Sequence, residues 1–233
     1  MPDGVGRASV WFWRDATWHA AWKGAWAEVA VNGTFVLTME SETAGQAIRP
    51  LRRNEYEELV ALGRFDGERV ELVRGRLVTM SPQGSRHLAV VARVGLALQT
   101  RVPPRYRVLQ HSPLALGDVS MPEPDVSVTP IVPDHEFPRD PILLVEVADS
   151  SLAYDQRDKL RLYAAAGVPT YWLVDLVHDE VRVHTRPVGA GDDATYRTVI
   201  TLGQSDVLRL DALPALSIPV DELIRPSSGT GGR

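Results

Sequence analysis

Cysteine is absent from the 233-residue chain, which excludes disulfides and thiolate metal sites and fits a reducing compartment. No apolar run approaches the ~18 residues needed to span a bilayer, so no membrane association is expected. The N-terminus also lacks a basic-then-apolar leader, because Trp11-Phe12-Trp13 is followed at once by Arg14 and Asp15. These absences make the cytoplasm the expected location and argue against glycosylation at Asn32-Gly33-Thr34.

Several catalytic signatures are missing too. No G-x-G-x-x-G follows a strand and no P-loop is present, so no nucleotide cofactor is expected; Gly189-Ala190-Gly191-Asp192-Asp193 reads as a hairpin loop. No G-x-S-x-G elbow surrounds Ser150-Ser151, which resembles a helix cap. The six histidines contain no H-x-x-x-H pair, and His178 and His184 fall in a predicted strand region, which disfavours a zinc hydrolase. No internal repeat is visible.

What is present is unevenly placed. The formal charge is −5, but residues 1–48 carry a net −2, residues 49–110 a net +6 and residues 111–233 a net −9. A basic first half joined to an acidic second half suits an anionic ligand beside an acidic, metal-binding cleft, or simply a solvated surface of mixed sign. Five of the six tryptophans lie within residues 1–46, where Trp18, Trp22 and Trp26 would make a stripe on a helix. This stretch reads as a Trp-rich N-terminal extension without evident chemistry. Residues 47–225 read as one α/β domain, and 226–233 (P-S-S-G-T-G-G-R) as a flexible tail.

Within the domain, Asn54 is a candidate N-cap for a helix ending near Gly63. E-R-V-E-L-V and R-G-R-L-V-T-M alternate around Gly75 as a hairpin. Residues 85–100 carry helical periodicity stopped by Pro103-Pro104, and strands are expected at about 105–111, 125–129 and 141–147. A helix over 151–166 should end at Gly167. T-Y-W-L-V-D, E-V-R-V-H-T and T-Y-R-T-V-I-T read as further strands, with a short helix near 219–224.

Two acids interrupt otherwise apolar strands: Asp125 in P-E-P-D-V-S-V and Glu146 in L-L-V-E-V-A. A buried carboxylate is costly without a partner. If the strands are neighbours, the two acids converge and repel unless a proton or cation lies between them. Magnesium suits such a pair, since it takes oxygen ligands and leaves room for a phosphate, and water activated there is a nucleophile for phosphodiester hydrolysis. In Y-D-Q-R-D-K-L-R-L-Y, Asp155, Lys159 and Tyr163 share a helix face. Lys159 could reach a phosphate oxygen while Asp155 holds its ammonium; the alternative is a surface salt bridge.

The ordered set E-L-V-R-G-R-L-V, M-S-P-x-x-x-x-H, P-E-P-D-V-S-V, L-L-V-E-V-A-D-S-S, Y-D-Q-R-D-K-L-R-L-Y and G-V-P-T-Y-W-L-V-D resembles the Uma-two family of restriction endonucleases, over roughly residues 50–224. That family belongs to the PD-(D/E)XK nuclease superfamily. The resemblance implies a restriction-endonuclease-like α/β fold, a mixed central sheet flanked by helices, and magnesium-dependent phosphodiester cleavage, with manganese as a substitute. By the same resemblance, Asp125 and Glu146 are the acids of the motif. Ala148 stands where the superfamily's usual lysine would be, and that role passes to Lys159.

Glu71 and His87 also match the pattern. Glu71 would bind metal through water or orient Lys159, unless it is an exposed strand acid. His87 would contact phosphate or assist proton transfer, unless it is a structural helix-start residue. Tyr163 reads as packing. The carbonyl of Val147 would complete the metal site with Asp125 and Glu146.

The reading is a metal-dependent endonuclease acting on DNA, with Arg52, Arg53, Arg74, Arg76 and Arg86 on backbone phosphates. Double-strand cleavage would need a homodimer or two events. The alternatives are a catalytically silent nucleic-acid-binding or protein-interaction module on the same fold, and a phosphodiesterase acting on a small nucleotide.

Overall fold

Segments rich in β-branched and aromatic residues line up as one six-stranded sheet in the computed structural model of the chain. The structure describes residues 49–149 and 157–225 in full, the backbone at 155 and 156, and a two-residue ladder of β1 (Ala30–Val31) with β2 (Thr34–Phe35). The chain divides into two units between Ala47 and Ile48, and the remaining elements belong to the second. The Trp18-Trp22-Trp26 stripe, the Ser150-Ser151 cap, the Asp155 side chain and the 226–233 tail lie outside the described residues.

In chain order the second unit comprises α1 (Arg53–Ala61), β3 (Val70–Val73), β4 (Arg76–Thr79), α2 (Ser85–Gln99), β5 (Tyr106–Gln110), β6 (Val126–Pro130) and β7 (Leu143–Ala148). A π-helical turn over Asp155–Lys159 runs into α3 (Leu160–Ala165). Then come β8 (Thr170–Asp175), β9 (Glu180–Val188), β10 (Thr195–Leu202), β11 (Val207–Leu210), β12 (Leu213–Pro219) and α4 (Val220–Leu223). The sheet order is β10-β9-β8-β7-β6-β5. Its neighbours are antiparallel except β7 and β8, which run parallel. A parallel pair needs a crossover, and the helical segment ending in α3 supplies it. The fold is therefore the expected mixed sheet flanked by helices.

The period-two alternation of the strands sorts side chains onto two faces. Val126, Val128, Leu143, Val145, Val147, Trp172 and Val174 pack against Val90, Val91, Val94 and Leu98 of α2, together with the β11–β12 hairpin and α4. Leu144, Ala148, Tyr171, Leu173 and Tyr196 face Leu162, Tyr163 and Ala164 of α3. Glu146 has the parity of Leu144 and Ala148, so it points to the α3 side.

Three local features differ from expectation. Helix α1 begins at Arg53, not after an Asn54 cap; the Arg52 N–H donates to Glu55 Oε2 at 2.8 Å and closes the first turn from the other direction. The β11–β12 hairpin has no clear signature in the sequence, because Asp211-Ala212 and Pro214 break the apolar alternation and the register shifts between Arg209 and Leu210. His178 lies in the turn between β8 and β9 rather than in a strand.

Candidate active site

The site begins where the β6–β7 ladder stops. The register runs from Val128 opposite Leu143 to Val126 opposite Val145, so continuing it would set Pro124 against Val147. Proline has no N–H to give, and the ladder cannot extend. The acids take its place: the Val147 N–H donates to Asp125 Oδ2 at 2.8 Å, and the Asp125 N–H to Glu146 Oε2 at 3.4 Å. Each carboxylate is thus held by a backbone donor at the end of the ladder. Pro124 likewise leaves the Val147 carbonyl without a donor from the strand register.

Lys159 closes the other side. Its Nζ lies 2.6 Å from Glu71 Oε2 and 3.3 Å from Glu146 Oε1, with side-chain exposures of 4% for the lysine and 2% for Glu71. The chain has only two lysines, Lys23 and Lys159, beside 23 arginines; the one among the described residues is this buried one. The compact ammonium suits a slot between two carboxylates in a way that a planar guanidinium does not.

Glu71 reaches the site because β3 and β4 turn back sharply. Arg74 and Gly75 both have positive φ, 53° and 77°, the pattern of a type I′ hairpin turn. A Cβ on Gly75 would also lie 2.2 Å from Pro50 Cβ. Leu72 pairs with Met121 through backbone bonds of 3.3 and 2.7 Å, which brings β3 alongside the P-E-P-D segment. The Glu123 N–H then donates to Glu71 Oε2 at 3.1 Å. Burial pushes the Glu123 carboxyl above the usual carboxylate range.

Asp125 is enclosed from α2. His87 Nε2 lies 3.0 Å from Asp125 Oδ2, and Gln83 donates to Oδ1 at 3.1 Å. His111, with φ 46°, brings its Nδ1 to 3.5 Å from Oδ1, and burial lowers its pKa below the ordinary value. Tyr163 donates its hydroxyl to Glu146 Oε1 at 2.5 Å. Burial, then the charge of Glu146, raises that hydroxyl's pKa well above 10, so it is a donor at any working pH.

All five side chains marked in the sequence as catalytic therefore meet: Glu71, His87, Asp125, Glu146 and Lys159 line one cavity of about 360 Å³. Glu71 is buried rather than an exposed strand acid, and Glu71 and Glu146 both lie beside the ammonium. His87 is turned onto Asp125. Gln83 and His111 escape the sequence reading because neither residue type in a loop or at a strand end signals chemistry, and the Tyr163 hydroxyl bond is hidden behind a packing role.

The arginines are a mixed set. Arg53 pairs with Glu57 at 2.8 Å and Arg74 with Asp192 at 2.6 Å. Arg86 bonds Asp179 and the Leu176 carbonyl. Arg52 and Arg76 are exposed.

A divalent cation fits this donor set. Asp125, Glu146 and the Val147 carbonyl offer hard oxygen ligands of the kind magnesium and manganese take. The cavity lining carries Glu71, Asp125, Glu146 and Asp149 against the single lysine, an excess of negative charge that a cation would offset. One tighter group exists among the described residues: ligand atoms of Asp175, His178 and Glu180 lie within 4.8 Å of one another. That group lies outside the cavity lining, and in it Asp175 Oδ1 takes the N–H groups of Val177 and His178, while Oδ2 takes His178 Nδ1 and Arg182.

A family described as putative restriction endonucleases, Uma2, matches residues 53–221. The chain belongs to the Uma2 family. A crystal structure of a protein from Anabaena variabilis, described as a putative nuclease belonging to DUF820, shares the fold. It superposes with a TM-score of 0.58 at 14% identity, covering 75% of this chain and 97% of that one. No curated protein matches the chain. The matched Uma2 region holds every residue of the site described above. Among the described residues no helix is long and apolar enough to cross a membrane.

Proposed function

We propose that this Uma2 protein is a metal-dependent endonuclease that hydrolyses DNA phosphodiester bonds at the β6–β7 strand ends. One observation carries the reading: two buried carboxylates from adjacent strands, each held by a backbone donor where the ladder ends, share a cavity with a buried lysine. A magnesium or manganese ion held by Asp125, Glu146 and the Val147 carbonyl would supply water activation and charge neutralisation there.

The chain's own groups do the rest. In hydrolysis a water oxygen bonds to phosphorus, the ester P–O bond breaks, and the departing oxygen takes a proton. The Lys159 ammonium, preset by Glu71, stabilises the charge that develops on phosphate oxygens. His87, Gln83 and the Val147 N–H fix the rotation of Asp125. The functional unit in this reading is residues 47–225, with 1–46 and 226–233 as appendages. Arg52 and Arg76 can meet backbone phosphates directly, whereas Arg53, Arg74 and Arg86 must first exchange an acid for a phosphate.

The test is incubation of plasmid and short single- and double-stranded DNA with the protein and magnesium, manganese or chelator, beside Asp125→Ala. Cleavage that needs the metal and disappears in Asp125→Ala is the expected result. Identical behaviour of both proteins, with no metal-dependent product, would leave a binding module on a nuclease scaffold.

A further inference from the structure

The buried Tyr163 hydroxyl bonds an acid of the site. Its ring is fully buried and packs edge-on to Tyr171, with centroids 5.2 Å apart at 72°. Its Oη lies 2.5 Å from Glu146 Oε1, the same oxygen that sits 3.3 Å from Lys159 Nζ. Glu146 Oε2, by contrast, faces the Asp125 N–H. The π-helical turn ends at Lys159, and Tyr163 follows one α-helical turn later, so ammonium and phenol reach one carboxylate oxygen from a single helix.

We infer that Tyr163 is a positioning residue for Glu146: its hydroxyl, clamped by the aromatic packing of its ring, fixes the carboxylate with Oε1 toward Lys159 and Oε2 toward Asp125. This deepens the metal-dependent reading above and rests on it. Without the hydroxyl, Glu146 loses a donor on Oε1, and Lys159 can draw it out of line with Asp125. A buried donor on a metal-ligating carboxylate acts on metal affinity rather than on folding alone.

The experiment is Mn²⁺ binding to the full chain by electron paramagnetic resonance or calorimetry, comparing wild type, Tyr163→Phe and Tyr196→Phe. Tyr196 is the control, since its buried hydroxyl bonds the Val168 carbonyl at 2.9 Å, away from the carboxylates. Tyr163→Phe should weaken Mn²⁺ binding by about 10–100-fold, and raised metal should restore most of its cleavage rate. Tyr196→Phe should bind as wild type does.

Equal affinities in wild type and Tyr163→Phe overturn the inference, as does an equal loss in Tyr196→Phe. If Tyr163→Phe does not fold, Mn²⁺-soaked crystals of the wild type decide: the Oη–Glu146 bond must persist with the ion bound, and its loss overturns the inference. A wild type that binds Mn²⁺ yet cuts no DNA removes the nuclease reading and leaves this one to the isotherms. A wild type that binds no Mn²⁺ removes both.

Discussion

The two faces of the central sheet are chemically unlike. Toward α2, the alternating positions of β7, β8 and β9 are Leu143, Val145, Val147, Trp172, Val174, Val181 and Val183, a wholly apolar layer closed by α2, the β11–β12 hairpin and α4. Toward α3, the intervening positions of the same strands are Leu144, Glu146, Ala148, Tyr171, Leu173, Asp175, Arg182 and His184. One period-two alternation therefore serves two purposes, a core on one side and a polar, aromatic layer on the other. The α3 face also shows that acidity alone does not make a site. Asp175 is satisfied by Arg182, His178 and two turn amides, whereas Glu146 and Asp125 border a cavity with more negative than positive lining.

The largest difference between the faces should appear in cleavage. Lys159→Ala should lower the rate by about 10²–10³-fold. It also strands Glu71 and Glu146 without the shared ammonium, which should cost about 3–5 kcal/mol of stability. Leu98→Ala, in the α2-side core, should cost about 2–5 kcal/mol and leave the rate per folded molecule unchanged. Denaturant unfolding and single-turnover cleavage measure the two quantities separately. A Leu98→Ala rate as low as that of Lys159→Ala would mean that the division between the faces is not functional.

Much of this contrast is legible in the sequence, because an acid inside L-L-V-E-V-A cannot belong to the same layer as its neighbours. The parity of Glu146, the order of the strands' motifs and the position of Lys159 after β7 lead directly to the cluster. The partners of Lys159 do not follow in the same way. Glu71, 88 residues away, makes the 2.6 Å contact, and contacts of that span depend on how the β3–β4 hairpin docks on the P-E-P-D segment. Tyr163 and His111 escape notice for a related reason. An aromatic ring at helical spacing signals packing, and only the folded chain shows where its hydroxyl lands. The arginines illustrate the opposite error, since composition counts their charge without recording that Glu57, Asp192 and Asp179 neutralise Arg53, Arg74 and Arg86 in turn.

A smaller effect should come from His184 on the α3 face. It is buried, stacks on Tyr171 at 5.3 Å and neighbours Tyr196 at 5.8 Å. Burial, then the nearby Arg182, lowers its pKa to about 4. In the unfolded chain the ordinary value of about 6.5 applies. Between those values the unfolded state binds more protons, so stability rises with pH across the window and is lost as pH falls from about 6.5 toward 4. The loss should be on the order of 2–3 kcal/mol, read as a drop in urea midpoint between about pH 7 and pH 4. His184→Phe keeps the aromatic stack and should remove that component; an unchanged pH slope would place the titrating group elsewhere.

The smallest effect is expected outside both faces, at the exposed arginines. If Arg76 meets a backbone phosphate, Arg76→Ala should weaken DNA binding alike across sequences and reduce the slope of log affinity against log salt by about one. Arg86 already bonds Asp179 and the Leu176 carbonyl, so Arg86→Ala should act mainly on stability. Fluorescence anisotropy over a salt series, with the metal withheld to prevent cutting, separates the two outcomes. Equal slopes for wild type and Arg76→Ala would remove Arg76 from the interface, because a phosphate contact that displaces no counterion is not an ionic one.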